Sequence, residues 1–289
     1  MTSLNAPSPV LPDPLQQAHL AFIGGGNMAS AIVGGLLRQG MSGRQITVVE
    51  PYAPQREKLA SQWADTGMQL LEAPGPALGA AGLVVWAVKP QTFRDAALAA
   101  APHAAGALHL SVAAGITSQS MAGWLGTQRI VRTMPNTPAL VGLGMTGMFA
   151  RDSVSEADRA LAEAVVATTG ASVWLPQEAD LDAVTALSGS GPAYVFYFLE
   201  AMRDAGVSMG LSAETATRLA ISTFVGASHL AQDATDPPEV LRERVTSKGG
   251  TTYAALTALQ ADGVRDSFMQ AIRAAQARAT QMGAEFGAS

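Results

Sequence analysis

Ser247-Lys248-Gly249-Gly250-Thr251-Thr252 sets three hydroxyl side chains around two adjacent glycines. Glycine leaves the backbone amides uncovered and accepts φ > 0. Successive N–H groups in such a turn form a nest for an anion, and the helical pattern starting at Tyr253 adds its positive N-terminal end. A small carboxylate or a phosphate suits this turn. More than 200 residues earlier, Gly24-Gly25-Gly26-Asn27-Met28-Ala29 follows an apolar strand pattern and opens a helical one. That is the setting of a G-x-G-x-x-G/A dinucleotide turn: Gly24 for the turn, Gly26 for the approach of the pyrophosphate, Ala29 for helix packing. A dinucleotide turn near one end and a small-anion turn near the other point to a reductase with a separate substrate domain.

Other candidate residues end strands. Glu50 closes the second strand 24 residues after Gly26, where a carboxylate takes the ribose 2′-hydroxyl and repels a 2′-phosphate. Arg56 either faces a 2′-phosphate or belongs to a solvated helix face with Glu57 and Lys58, so the choice between NADH and NADPH stays open. Ala87, Val88, Lys89 and Pro90 follow the most apolar strand and fall at the carboxyl edge, where open α/β sheets bind ligands. Lys89 can meet the ribose or phosphates there. Ala113 and Ala114, and Asn136 in Met134-Pro135-Asn136-Thr137-Pro138, end later strands at the same edge; small residues and one amide suit a flat nicotinamide ring. Ser188-Gly189-Ser190-Gly191-Pro192 reads fully as a helix cap. His19, His103, His109 and His229 lie outside these motifs, and no metal-ligand spacing, Ser-His-Asp set or carboxylate pair is present. Any reaction here takes little acid–base help from the protein.

The 289 residues suffice for two domains. Only 14% are charged and 48% are apolar, against roughly 25% charged in an ordinary soluble protein. A net charge of −5 without a Lys/Arg cluster argues against nucleic acid. Cysteine is absent, which removes disulfides and thiolate chemistry. No apolar run reaches the roughly 18 residues of a membrane span, and residues 1–18, with four prolines and no basic residue, lack the features of a secretory signal. They read as a disordered extension of a cytoplasmic protein.

From His19 to about Glu178, short apolar strands alternate with helical stretches, the pattern of parallel βαβ units. Expected strands run over 18–23, 46–50, 83–88, 108–112, 130–134, 145–149 and 172–175, with helices over 27–39, 54–64 and 155–168. After Glu178 the pattern is helical alone. Val195, Phe198, Leu199 and Met202 form one apolar stripe, and Ser212 caps a following helix. From Ala183 to Leu230 the charged residues are Glu200, Arg203, Asp204, Glu214 and Arg218 alone. Helices so apolar need burial beyond what 111 residues offer by themselves, so the half 179–289 is expected to build a homodimer or a ring of dimers. The fold class is therefore a Rossmann-like doubly wound parallel sheet (19–178) followed by an all-α dimerisation domain (179–289).

The blocks FIGGGNMASAI, AVKPQ, SVAAGIT, RTMPNTPA, SGSGPAYVF and the stretch Pro238 to Gln260 together resemble the pyrroline-5-carboxylate reductase family, from Ala21 to about Gln270. The resemblance implies reduction of (S)-1-pyrroline-5-carboxylate to L-proline, the last step of proline synthesis, with NADPH or NADH and no metal. The family usually favours NADPH, which Glu50 opposes. By the family's pattern, the substrate carboxylate lies on the amides of Gly250, Thr251 and Thr252 with Ser247 nearby, and the Thr252 hydroxyl reaches the ring nitrogen. Glu178 matches a substrate-contacting position, or is a solvated loop acid. A β-hydroxyacid dehydrogenase, the nearest rival, needs a catalytic lysine on a long helix; Lys248, alone after residue 180, sits in the anion turn. A noncatalytic dinucleotide sensor would have no use for that turn.

Overall fold

A computed structural model describes residues 11–287. Among them, eight strands form one sheet: Leu20–Ile23 (β1), Ile46–Val49 (β2), Gln69–Leu71 (β3), Leu83–Trp86 (β4), Leu108–Ser111 (β5), Ile130–Met134 (β6), Gly144–Ala150 (β7) and Gly170–Trp174 (β8). Their order is β3-β2-β1-β4-β5-β6-β7-β8. Both β1 and β4 are buried at every position, and the two-residue period sends alternate side chains to opposite faces. Leu20 and Phe22 join one apolar layer with Ile32, Leu36 and Leu59. Ala21 and Ile23 join the other with Phe93, Ala97 and Met121. A sheet covered on both faces explains why these strands read as continuous apolar runs.

Helices Asp13–Gln16 (α1), Asn27–Arg38 (α2), Ala53–Gln62 (α3), Pro90–Ala104 (α4), Ser118–Leu125 (α5) and Glu156–Ala167 (α6) supply that cover. Ser155 caps α6 as its sequence indicates, its side chain accepting from the Asp158 amide. Strand β1 pairs in parallel with both β2 and β4. The order therefore reverses direction at β1, and a crevice opens there beyond the carboxyl ends.

Three features differ from the sequence reading. The pair β6–β7 is antiparallel, so β7 and β8 run against the six parallel strands; a strand pattern fixes side-chain alternation but not direction. Residues 1–10 of the expected disordered extension lie outside the described residues, but Asp13–Gln16 is a helix that buries Leu15 completely. Finally, β3, α4 and α5 were not expected; β3 is three residues long and only half-buried.

The chain divides into two compact units, the first running to Ser190 and taking back the residues from Ala275, the second spanning Gly191–Ala274. This division falls later than 178 because Asp180–Val184 (α7) buries Leu181 within the first unit. The C-terminal residues return there as well, with Phe286 against the apolar layer of Phe93. The second unit holds Gly191–Ser208 (α8), Ala213–Asp233 (α9), Pro238–Arg244 (α10), Thr251–Ala261 (α11) and the first part, to Ala274, of Val264–Gly287 (α12). Ser212 caps α9 through the Thr215 amide, and Phe268 meets Tyr194 and Phe198 edge-on at 5.7 and 5.5 Å. Tyr197 and Leu230 nevertheless stay 70% and 73% exposed; patches of this kind mark association surfaces.

Candidate active site

In the first unit, the carboxyl edge of the sheet gathers the dinucleotide candidates. Gly24 leaves β1 with φ +95°, and a Cβ there would lie 2.6 Å from the Ala87 carbonyl oxygen. Only glycine meets both demands, so Gly24 lets the turn press against the end of β4. Gly25 is buried too, whereas Gly26 and Asn27 are exposed. Gly26 is the N-cap of α2, with no side-chain cap and open space where its Cβ would stand. The first amides of α2, including that of Met28, therefore form an uncovered cradle at the positive end of a helix dipole, which fits a diphosphate.

Glu50 follows β2 beside this cradle. Its carboxylate accepts from the Gly25 amide and from the Tyr52 amide, each at 2.9 Å. Gln55 donates to the Gly25 carbonyl at 2.6 Å and so latches the turn from α3. That role was not legible in the sequence, since 30 residues separate the partners. Arg56 donates to the carbonyls of Glu50 (2.8 Å) and Pro51 (2.7 Å) and pairs with Glu72 at 3.2 Å. It is not the solvated helix residue that the sequence offered as one option, since these contacts hold it against the end of β2.

Ala87, Val88 and Pro90 are half-buried on the loop after β4, with Lys89 exposed as N-cap of α4. Ala113 is buried and its amide is taken by the Ser111 hydroxyl, while Ala114 is partly exposed. Asn136 has both ends of its amide engaged: it donates to the Ser188 hydroxyl at 3.1 Å and accepts from the Met145 amide at 3.0 Å. Ser188 lies in a π-helical turn, Thr185–Gly189, a distortion common at functional sites. The Ser188-Gly189-Ser190 stretch is thus not the helix cap its sequence suggests: Ser190 is itself in the helical region (φ −85°, ψ −17°), and its amide donates back to the Thr185 carbonyl.

In the second unit, the anion turn precedes α11, which begins at Thr251, two residues earlier than its sequence pattern suggests. The positive φ belongs to Gly249 (+76°). Gly250 has φ −79° and is the N-cap of α11 without a side-chain cap. The amides of Thr251 and Thr252 are thus offered to a ligand, whereas that of Gly250, expected to join them, already donates to the Ser247 carbonyl at 3.0 Å. A Cβ at Gly250 would lie 2.6 Å from the Ser247 hydroxyl, which holds these two residues in close approach. Ser247 and Thr251 are exposed and Thr252 half-buried, so hydroxyls and free amides share one end of the helix.

Glu178 differs from the substrate contact its family position implies. Its carboxylate accepts from the Ser118 amide and hydroxyl, both at 2.6 Å, and from Arg132 at 2.7 Å. Burial alone would raise its pKa, but the hydrogen bonds from Ser118 and the Arg132 charge outweigh this and hold it below the usual carboxylate range. It braces the start of α5 against β6. Ser118 and Arg132 lie 60 and 46 residues away, so nothing local announced them.

Two family models match the chain. One, described as pyrroline-5-carboxylate reductase dimerisation, covers residues 178–282; the other, NADP oxidoreductase coenzyme F420-dependent, covers residues 19–115. A pyrroline-5-carboxylate reductase from Pseudomonas aeruginosa is 43% identical over 93% of this chain and 98% of its own. The solved structure of a pyrroline-5-carboxylate reductase from Coxiella burnetii superposes with TM-score 0.86 at 34% identity, over 92% of this chain and 99% of that one. A Plasmodium falciparum pyrroline carboxylate reductase with NADP bound gives TM-score 0.82 at 27% identity, over 93% and 99% of the two chains.

Proposed function

This chain belongs to the pyrroline-5-carboxylate reductase family, and we propose that its two bare helix N-termini divide the work, Gly24–Met28 holding the coenzyme and Ser247–Thr252 the substrate. The protein reduces (S)-1-pyrroline-5-carboxylate to L-proline with NADPH or NADH. When bound, that coenzyme supplies the hydride. The first amides of α2 hold its diphosphate, and Glu50, the Ala87–Pro90 loop, Ala113, Ala114 and Asn136 border its remaining parts.

The substrate is a cyclic imine bearing a carboxylate. Once its nitrogen is protonated, the ring carbon accepts a hydride, the C=N π pair becomes the nitrogen lone pair, and a secondary amine results. The protein must position and desolvate more than it must move protons, which agrees with a site without histidine. Positioning by binding energy can supply much of such a barrier reduction. The amides of Thr251 and Thr252 take the carboxylate, Ser247 adds a hydroxyl, and the Thr252 hydroxyl accepts from the iminium N–H. Glu178 acts from behind, as the brace of α5.

The observation that carries this reading is the uncapped N-terminus of α11, ringed by three hydroxyl residues. It is tested with 1-pyrroline, the same imine without its carboxylate. If the turn grips the carboxylate, kcat/KM for 1-pyrroline falls by orders of magnitude; equal efficiency for the two imines refutes the assignment.

The dimerisation domain makes the protein a homo-oligomer. Association of the dimers into a closed ring is our proposal, supported by the exposed apolar residues of α8 and α9. Among the described residues no helix is long and apolar enough to cross a membrane; cytoplasmic placement, which fits a biosynthetic reductase, is likewise proposed.

A further inference from the structure

We propose that Glu50 is a fixed coenzyme selector that makes this reductase prefer NADH over NADPH. The inference rests on the reading that the Gly24–Met28 turn and the end of β2 hold the coenzyme. The Glu50 carboxylate is pinned through both oxygens, to the Gly25 amide and to the Tyr52 amide at 2.9 Å each. Gly25 is buried, so swinging the carboxylate away would leave a buried amide without a partner, a costly state. Each carboxylate oxygen accepts through two lone pairs, which leaves capacity for a ribose hydroxyl. Glu50 thus stays where the 2′-position of the adenosine ribose arrives.

The nearby cation is already engaged. Arg56 is committed to the Glu50 and Pro51 carbonyls and to Glu72, and its side chain is only 21% exposed. Turning the guanidinium towards a 2′-phosphate would loosen these contacts. Lys58, exposed on α3, stands two residues from Arg56, and residues so spaced do not share a helix face. A 2′-phosphate would therefore meet a fixed carboxylate beside a guanidinium spanned between two backbone carbonyls and Glu72. Two like charges about 4 Å apart, between water-like and near-surface dielectric, correspond to roughly five- to a thousandfold in affinity.

Calorimetric binding of ADP and of 2′,5′-ADP to the intact enzyme tests this without turnover, beside kcat/KM for NADH and NADPH with pyrroline-5-carboxylate. ADP is expected to bind at least about tenfold more tightly, with NADH favoured by a similar ratio in kcat/KM. Glu50→Gln, which keeps one acceptor oxygen but removes the charge, should narrow or reverse both ratios. Equal or tighter binding of 2′,5′-ADP by the wild type overturns the proposal. So does an unmoved ratio in a folded Glu50→Gln protein; if that variant does not fold, the wild-type pair of ligands still decides. Absence of turnover with either coenzyme, alongside a preserved ADP preference, would instead refute the catalytic reading and leave the selector intact.

Discussion

Thr252 stands at the second position of α11, half-buried, where a hydroxyl lies close to the helix amides without capping them. If it accepts from the iminium N–H, it stabilises the protonated imine relative to the neutral one, and a hydrogen bond to a charged group contributes about 1.5–3 kcal/mol. At 1.36 kcal/mol per decade, Thr252→Ala should lower kcat/KM by about 10- to 150-fold, and Thr252→Ser should keep most of the activity. Steady-state kinetics decide this; an unchanged kcat in the alanine variant would reduce Thr252 to packing. The residue types of this turn were legible in the sequence because glycine and hydroxyl side chains announce their chemistry locally. Two details were not. The left-handed backbone sits at Gly249 instead of Gly250, and the Glu178 carboxylate is consumed by partners distant in the chain.

Every strand but β3 was legible, because apolar runs between glycine-rich turns have few other readings; β3 is short and only half-buried and gave no such run. The reversal at β7 was not legible, since Met145, Gly147 and Phe149 alternate identically in either direction. The buried histidine of β5 was also silent. His109 is 1% exposed, and its Nδ1 accepts from the Trp86 indole at 3.1 Å. Burial, helped by the Arg129 charge, lowers its pKa from 6.5 to about 4. The folded state therefore binds fewer protons than the unfolded chain between those values, so stability falls as pH drops from 6.5 towards 4. The full loss is roughly 3 kcal/mol at 1.36 kcal/mol per pKa unit. His109→Gln, which keeps an acceptor for Trp86, should flatten the pH dependence of denaturant midpoints in that window. An equally steep dependence in the variant would show that other groups carry it. Glu178, held below the usual carboxylate range, adds a further loss in the same direction only at lower pH.

At the scale of the molecule, the charge-poor second unit and its exposed Phe196, Tyr197 and Leu230 require a partner surface. Light scattering at micromolar concentration should give a mass that is a whole multiple of the dimer. A folded, active monomer of 29.7 kDa would contradict this, and a lone dimer would remove the ring. The same division into units separates the two ligand roles, with the coenzyme cradle before Ser190 and the anion turn between Gly191 and Ala274. That separation makes Gly250→Val the most direct test of the account. Its backbone at φ −79° tolerates valine, but a Cβ would press on the Ser247 hydroxyl at 2.6 Å and cover the amides of α11. The decisive measurement pairs kcat/KM for pyrroline-5-carboxylate with the dissociation constants of NADH and NADPH, in wild type and variant. The account predicts that substrate efficiency falls by orders of magnitude while coenzyme binding is unchanged. A parallel loss of both, or substrate turnover that survives valine, would contradict it.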